Sequence, residues 1–259
     1  MTLVHQNEID TSSLLLWQQS SFAEVRSRLS DGTEFPCLFA QNAFRREIVK
    51  ISFVETLDDV GLEKARSDLL EYVKRCEHWD GKVNSAEPLL MIFNPENVSS
   101  DSVEDYHKLG WQVLQYFHDN DDMPWPEGTA QAPNSPYWSM AFHGLQLFVN
   151  MSSPAHQVRK SRNLGAALTL VINPRERFDI VAGETEEGRR TRAKIRRRVE
   201  VYDGYSHCPQ LGSYAAGEIE WWQYGIIEEN RDRTDRCPLH QRADAKDEQE
   251  PHLAEEELA

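Results

Sequence analysis

The chain has 259 residues, with 43 acidic against 28 basic side chains and a net charge of −15, which disfavours a nucleic-acid backbone as its partner. It is long enough for one large domain with a sizeable core, and no apolar run approaches the ~20 residues that a membrane helix needs. No basic stretch precedes the short apolar segment 12–17, so a signal peptide is not expected and a cytoplasmic protein is.

In chain order, residues 1–30 begin polar and then read as a helix. Leu14, Leu15, Trp17, Phe22, Val25 and Leu29 form its apolar face, and Asp31-Gly32 is a stop signal. Segment 35–40 starts the first apolar stretch and 48–54 alternates as a strand, the pair resembling a hairpin or the entry to a central sheet. A helix is expected over 57–79, with Asp58 and Asp59 where the helix dipole favours negative charge. A buried strand follows over 89–93. Ser100 or Asp101 then caps a helix carrying Val103, Leu109, Trp111, Val113, Leu114 and Phe117. Segment 119–136 is rich in proline, acid and small residues and reads as a functional loop or lid. Beyond Tyr137-Trp138, residues 139–149 are strand-like, with His143-Gly144 as a bend or bulge.

The stretch 150–179 carries the densest chemistry. Pro154 suits the first turn of a helix capped by Ser152 or Ser153, with His156, Arg159 and Lys160 on one side. Gly165 ends it, 166–172 returns as a strand, and Arg175 follows Pro174 to the same edge as His156 if the two strands are neighbours. A histidine and several cations between buried strands suit an anionic group that carries a metal, such as haem. Imidazole can ligate its iron, and guanidinium groups can pair its propionates. His156 equally suits a base or a structural hydrogen bond.

The four cysteines, Cys37, Cys76, Cys208 and Cys237, show no C-x-x-C spacing, against a zinc ribbon or a disulfide scaffold. The cluster RRTRAKIRRR over 189–198 reads as a solvated helix face paired with Glu184, Glu186 and Glu187. The alternative is a basic rim for an acidic redox partner or for haem carboxylates. Segments 199–205 and 211–227 complete the globular part. From 229 to 259 the chain is charged and poor in aromatics, which predicts a disordered tail behind a domain of residues 1–228. Cys237 and His240 in that tail lack a second pair of metal ligands. Helices and short strands alternate without a glycine-rich phosphate loop, so the expected class is α+β, a single domain with a mixed or antiparallel central sheet flanked by helices.

FPCLFAQNAF, SPYWSMAFHGLQLFVNMSSPAHQVRKSRNLG, NPRERFD, YDGYSHCPQLGSY and EWWQYGI together resemble the YqcI/YcgG family, which includes the GntA-type haem-dependent N-hydroxylases. The resemblance runs from about residue 35 to about residue 224. It implies a haem b (iron) cofactor and hydroxylation of a guanidine nitrogen of arginine or a relative. The expected partners are an amino-acid substrate, dioxygen or peroxide, and an electron-donor protein. On this reading His156 is the expected iron ligand and Cys37 the alternative, and Arg159, Arg162 and Arg175 pair the propionates. Trp138, Asp121 and Asp122 are candidates for holding the substrate's guanidinium. Two competing functions are a non-enzymatic haem sensor or carrier, and a non-haem iron or zinc enzyme built on His78-Trp79-Asp80.

Overall fold

The computed structural model describes residues 3–241 and shows an α+β domain around one mixed six-stranded sheet. The strands are β1 (Val4–His5), β2 (Lys50–Val54), β3 (Leu89–Phe93), β4 (Met140–Phe142), β5 (Leu145–Ser152) and β6 (Thr169–Pro174), in the order β1-β2-β3-β6-β5-β4. Only β2 and β3 run parallel, joined by helix α3 (Asp59–Cys76); the other pairs are antiparallel.

Alternation along the strands divides the sheet into two faces. Val54, Leu89, Met91, Phe93, Leu170 and Ile172 point to the side covered by α3 and by α4 (Val103–Asp119), where the larger core forms. Ile51, Phe53, Leu90 and Ile92 point to the other side, against α1 (Leu16–Leu29) and α2 (Leu38–Arg45). On that second side α1 and α2 cover only half of the sheet. Over β5 and β6, Phe148, Asn150, Val171 and Asn173 stay half-buried, and with α5 (Arg175–Ala182) and α6 (Glu186–Asp203) they border a cleft. A short helix, α7 (Trp221–Tyr224), packs near β5.

Local chemistry explains several departures from the sequence reading. Residues 38–45 are helix α2 rather than half of a hairpin, because the Cys37 sulfur accepts the Ala40 N–H and caps the first turn. Helix α4 is capped by Ser102, which accepts from the Asp105 N–H, and not by Ser100 or Asp101. His143 and Gly144 (φ 50° and 78°) form the two-residue turn between β4 and β5.

No helix forms after Pro154; only a single 3-10 turn, Lys160–Arg162, is present. The backbone N–H groups of Gln157, Val158 and Arg159 donate to the Glu228 carboxylate and not to a preceding helical turn. Because β5 and β6 are antiparallel, His156 and Arg175 leave the sheet at opposite ends, past Ser152↔Thr169 and Leu147↔Pro174 respectively. Five residues of strand separate those ends, roughly 17 Å.

The boundary expected at 228 moves as well. Leu239 is buried in the larger core, and Arg233 lies 4.9 Å over the Trp221 ring while donating to the carbonyls of Trp222 and Gly225. The rest of the predicted tail, 242–259, lies outside the described residues. Leu239→Ala should therefore cost about 2–3 kcal/mol. A chain ending at Asn230 should melt about 5–10 °C below one ending at Gln241, which a thermal melt of the two would read directly. Among the described residues, no helix is long and apolar enough to cross a membrane.

Candidate active-site cleft

The cleft has two lobes that share Cys37, Phe39, Phe148 and Phe178. The first lobe, of about 170 Å³, lies between α2 and the open sheet face and is largely apolar, with Val49, Leu90 and Val171 among its walls. The second, of about 200 Å³, lies between α5, α6 and the segment 211–223, and carries Arg175, Asp179, Arg192, Arg196, Tyr214 and Glu220. Phe148 and Phe178 pack at 4.8 Å between ring centroids, where the two lobes meet.

Cys37 is placed by its position as the cap of α2. The residue is half-buried and lines both lobes, and its sulfur accepts the Ala40 N–H at 3.5 Å. Burial raises the thiol pKa above its ordinary value, while the N–H groups of Ala40 and Phe39 and the charges of Arg162 and Arg198 pull the other way. The Arg198 guanidinium donates to the carbonyls of Phe35 and Pro36, which fixes the two residues leading into Cys37. Arg162 is buried, its pKa is lowered by that burial to about 10, and one of its terminal nitrogens has no hydrogen-bond partner.

Two asparagines, Asn150 and Asn173, project from β5 and β6 into the first lobe, with Asn173 directly across from Phe148. Arg177 lines the same lobe. It donates to the Glu87 carbonyl and the Cys76 sulfur, while its Nε has no partner.

The other residues singled out in the sequence are dispersed. The His156 side chain is fully enclosed, 0% exposed, and lines neither lobe. Its Nδ1 pairs with Glu228 at 2.8 Å and its ring lies 5.9 Å from that of His107. Its Nε2 has no hydrogen-bond partner. Arg159 is committed to the Ile227 and Ser206 carbonyls and to Asn230. Of the three arginines expected to act together, Arg162 is buried outside both lobes and acts on Cys37 through its charge, Arg175 lines the second lobe, and Arg159 holds the fold.

Trp138 is 1% exposed and stacks on Trp125, so no face is open to a substrate. Asp121 accepts the backbone N–H groups of Met123 and His143, and Asp122 is exposed; neither lines the cleft. On α6, Arg189 and Arg192 pair with Glu184 and Arg190 with Glu186, a solvated face of paired charges as the sequence pattern predicts. Among the described residues, no group of three or more His, Cys, Asp or Glu is placed to hold a bare metal ion.

Sequence reasoning missed Asn150, Asn173, Arg177 and Glu220. The signal for the asparagines was one amide in each of two adjacent apolar strands, where an unpaired polar group is costly.

The sequence model of the YqcI/YcgG family matches residues 25–240. The chain is 50% identical over 237 residues to a Streptomyces lavendulae protein named "Putative N(omega)-hydroxy-L-arginine synthase DcsA", covering 92% of this chain and 89% of that one. It is 31% identical to YqcI of Bacillus subtilis (strain 168), over 86% of this chain and 87% of the relative. The figure for YcgG of the same organism is 28%, over 86% and 88%. No solved structure is a significant match.

Proposed function

The chain belongs to the YqcI/YcgG family, and from that premise we propose that it N-hydroxylates the guanidine of L-arginine or a close relative, using haem held in the cleft by Cys37. The observation that carries this reading is the cleft itself. A sulfur at a helix N-terminus faces apolar walls and a half-covered face of a central sheet, with arginines among the lining residues. A flat, apolar, dianionic group with one vacant ligand position fits that combination of residues. The arginine N-hydroxylation named for the Streptomyces relative supports the choice of reaction.

Cys37 replaces His156 as the preferred ligand because its sulfur reaches the cleft and the imidazole does not. A thiol ligates as the thiolate. The Ala40 N–H, the positive end of α2 and the charges of Arg162 and Arg198 all favour that form once a cation offsets the cost of burial. Arg177, whose Nε has no hydrogen-bond partner, is the first-lobe arginine suited to pairing a carboxylate of the group.

When bound, haem supplies the iron at which dioxygen or peroxide is activated. With dioxygen, two electrons from a donor protein and two protons, one oxygen enters the guanidine N–H bond as N–OH and the other leaves as water. Asn150 and Asn173 present amide donors and acceptors to the first lobe, where they orient polar groups against an otherwise apolar wall. Phe148 and Phe178 limit water at the junction of the lobes.

Arg198→Ala, which frees the backbone before Cys37, should weaken haem retention by about 10-fold to 100-fold, as losses of outer-sphere support do at metal sites. The function is tested by incubating the haem-loaded protein with reductant and dioxygen, or with peroxide, and a panel of arginine, hydroxyarginine, homoarginine and other amines. Mass spectrometry should show one added oxygen on arginine or a close relative. Intact, reducible haem with no oxygen gained by any panel member would replace this reading with that of a haem sensor or carrier.

A further inference from the structure

The second lobe already holds one guanidinium in a well-defined seat. The Arg175 guanidinium carbon lies 3.4 Å from the centroid of the Tyr214 ring. One terminal nitrogen pairs with Asp179 at 2.7 Å, and Nε lies 3.2 Å from Glu220. Two carboxylates thus face a single cation: Glu220 is almost wholly buried and also accepts from the Tyr224 hydroxyl, and Asp179 is half exposed.

We propose that Asp179 and Glu220 form a guanidinium-binding subsite that receives the cationic end of the substrate beside Arg175. The assignment rests on the arginine N-hydroxylation reading and gives it a recognition element.

Three observations support it. The seat, taken as these three side chains, has one more carboxylate than it has cations. Burial pushes the Glu220 pKa up to about 7, even though the Arg175 charge opposes this, and burial raises that of Asp179 also. A second guanidinium would restore the balance and favour the ionised form of both groups. Access is present, because the Asp179 side chain is 53% exposed and a ligand can reach it without displacing Arg175. Charge of the opposite sign is also at hand: Arg192 and Arg196 line the same lobe, and an α-amino acid brings a carboxylate as well as a cation. Neutral ureido analogues such as citrulline, similar in shape, lack the charge that the two carboxylates require.

The test uses the full chain without haem, so that binding is read independently of turnover. Isothermal titration at about pH 8, above the Glu220 pKa, compares L-arginine with L-citrulline for the wild type, Asp179→Asn and Glu220→Gln. Arginine should bind the wild type at least about 10-fold more tightly than citrulline. Each substitution should weaken arginine by about 10-fold to 100-fold, the usual cost of a charged hydrogen-bond partner, and should leave citrulline and haem titrations unchanged. Asp179→Asn removes only a partly exposed group, so it keeps the test decisive if Glu220→Gln fails to fold.

Arginine bound equally by the wild type and Asp179→Asn, or not bound by the wild type at all, overturns the subsite. The two readings fail separately. Arginine turnover with unaltered affinity in both variants removes the subsite and leaves the reaction. Charge-selective binding without added oxygen in the panel assay removes the reaction and leaves the subsite.

Discussion

Cys37→Ala is expected to leave a folded protein that no longer retains haem and no longer adds oxygen to arginine. The side chain is half-buried and short, packs at the edge of the smaller core and caps an eight-residue helix through a weak S···H–N contact, so the stability cost should stay near 1 kcal/mol. The cost at the iron is of another order. Loss of outer-sphere partners at metal sites typically costs 10–100-fold in affinity, and removal of the one protein ligand should exceed about 100-fold. Gel filtration with a haem-to-protein ratio measures the first effect and the panel assay the second. Full haem occupancy and unchanged turnover in the Cys37→Ala protein would show that the iron is held elsewhere, with His156 the first residue to examine.

Glu228→Ala should produce the largest loss of stability among the polar substitutions considered, and it should do so without entering the cleft. The Glu228 carboxylate accepts from three consecutive backbone N–H groups and pairs with His156 Nδ1. Its removal leaves these donors and an enclosed imidazole without their partner, at a cost of about 3–4 kcal/mol and a Tm about 10 °C lower.

The same cluster sets the response to acid. Burial raises the Glu228 pKa, but the His156 hydrogen bond and the Val158 and Arg159 N–H groups outweigh it and hold the carboxyl at about 2. Burial in turn lowers the His156 pKa from its ordinary 6.5, and the Glu228 partner opposes it. In both cases the unfolded chain takes up a proton at a higher pH than the folded one. The contribution of this pair to stability should therefore be full above about pH 6.5 and fall as the solution is acidified. Glu228→Gln should flatten the part of that slope below pH 4.5. A melt series from pH 8 to pH 3 distinguishes the variant from the wild type, and parallel curves would show that Glu228 does not link folding to protons.

Legibility in the sequence followed the range of the interactions involved. The continuous apolar runs that became β3 and β6 could be read from neighbouring residues, as could the 3.6-residue spacing of α1, α3 and α4, because the sequence around each element determines it. Helix α2 reads as half of a hairpin because a short apolar run has no decisive period, and nothing in the sequence marks the Cys37 sulfur as its cap. The helix expected after Pro154 fails through a carboxylate about 70 residues further on that takes its N–H groups.

The site shows the same division. NPRERFD and EWWQYGI carry the family resemblance, but the sequence pattern points only to Arg175 in the first and to no cleft residue in the second. The roles of Arg177, Asp179 and Glu220 depend on how α5 packs against segment 211–223, which no spacing rule conveys. His156 and Arg175 were joined by assuming a shared edge, and the antiparallel pairing of β5 with β6 separates them. The charged composition after 228 concealed Leu239 and Arg233, two residues sufficient to bring that segment against the body.

The most direct measurement is the absorption spectrum of the full-length protein expressed with haem supplied, recorded in the ferric, ferrous and ferrous carbon-monoxide forms. A cleft that holds haem through Cys37 predicts a Soret band of the thiolate-ligated type in the carbon-monoxide form, absent from Cys37→Ala and unchanged in His156→Ala. An imidazole-type spectrum that survives in Cys37→Ala and disappears in His156→Ala, or the absence of any Soret band above that of free haem, would contradict it.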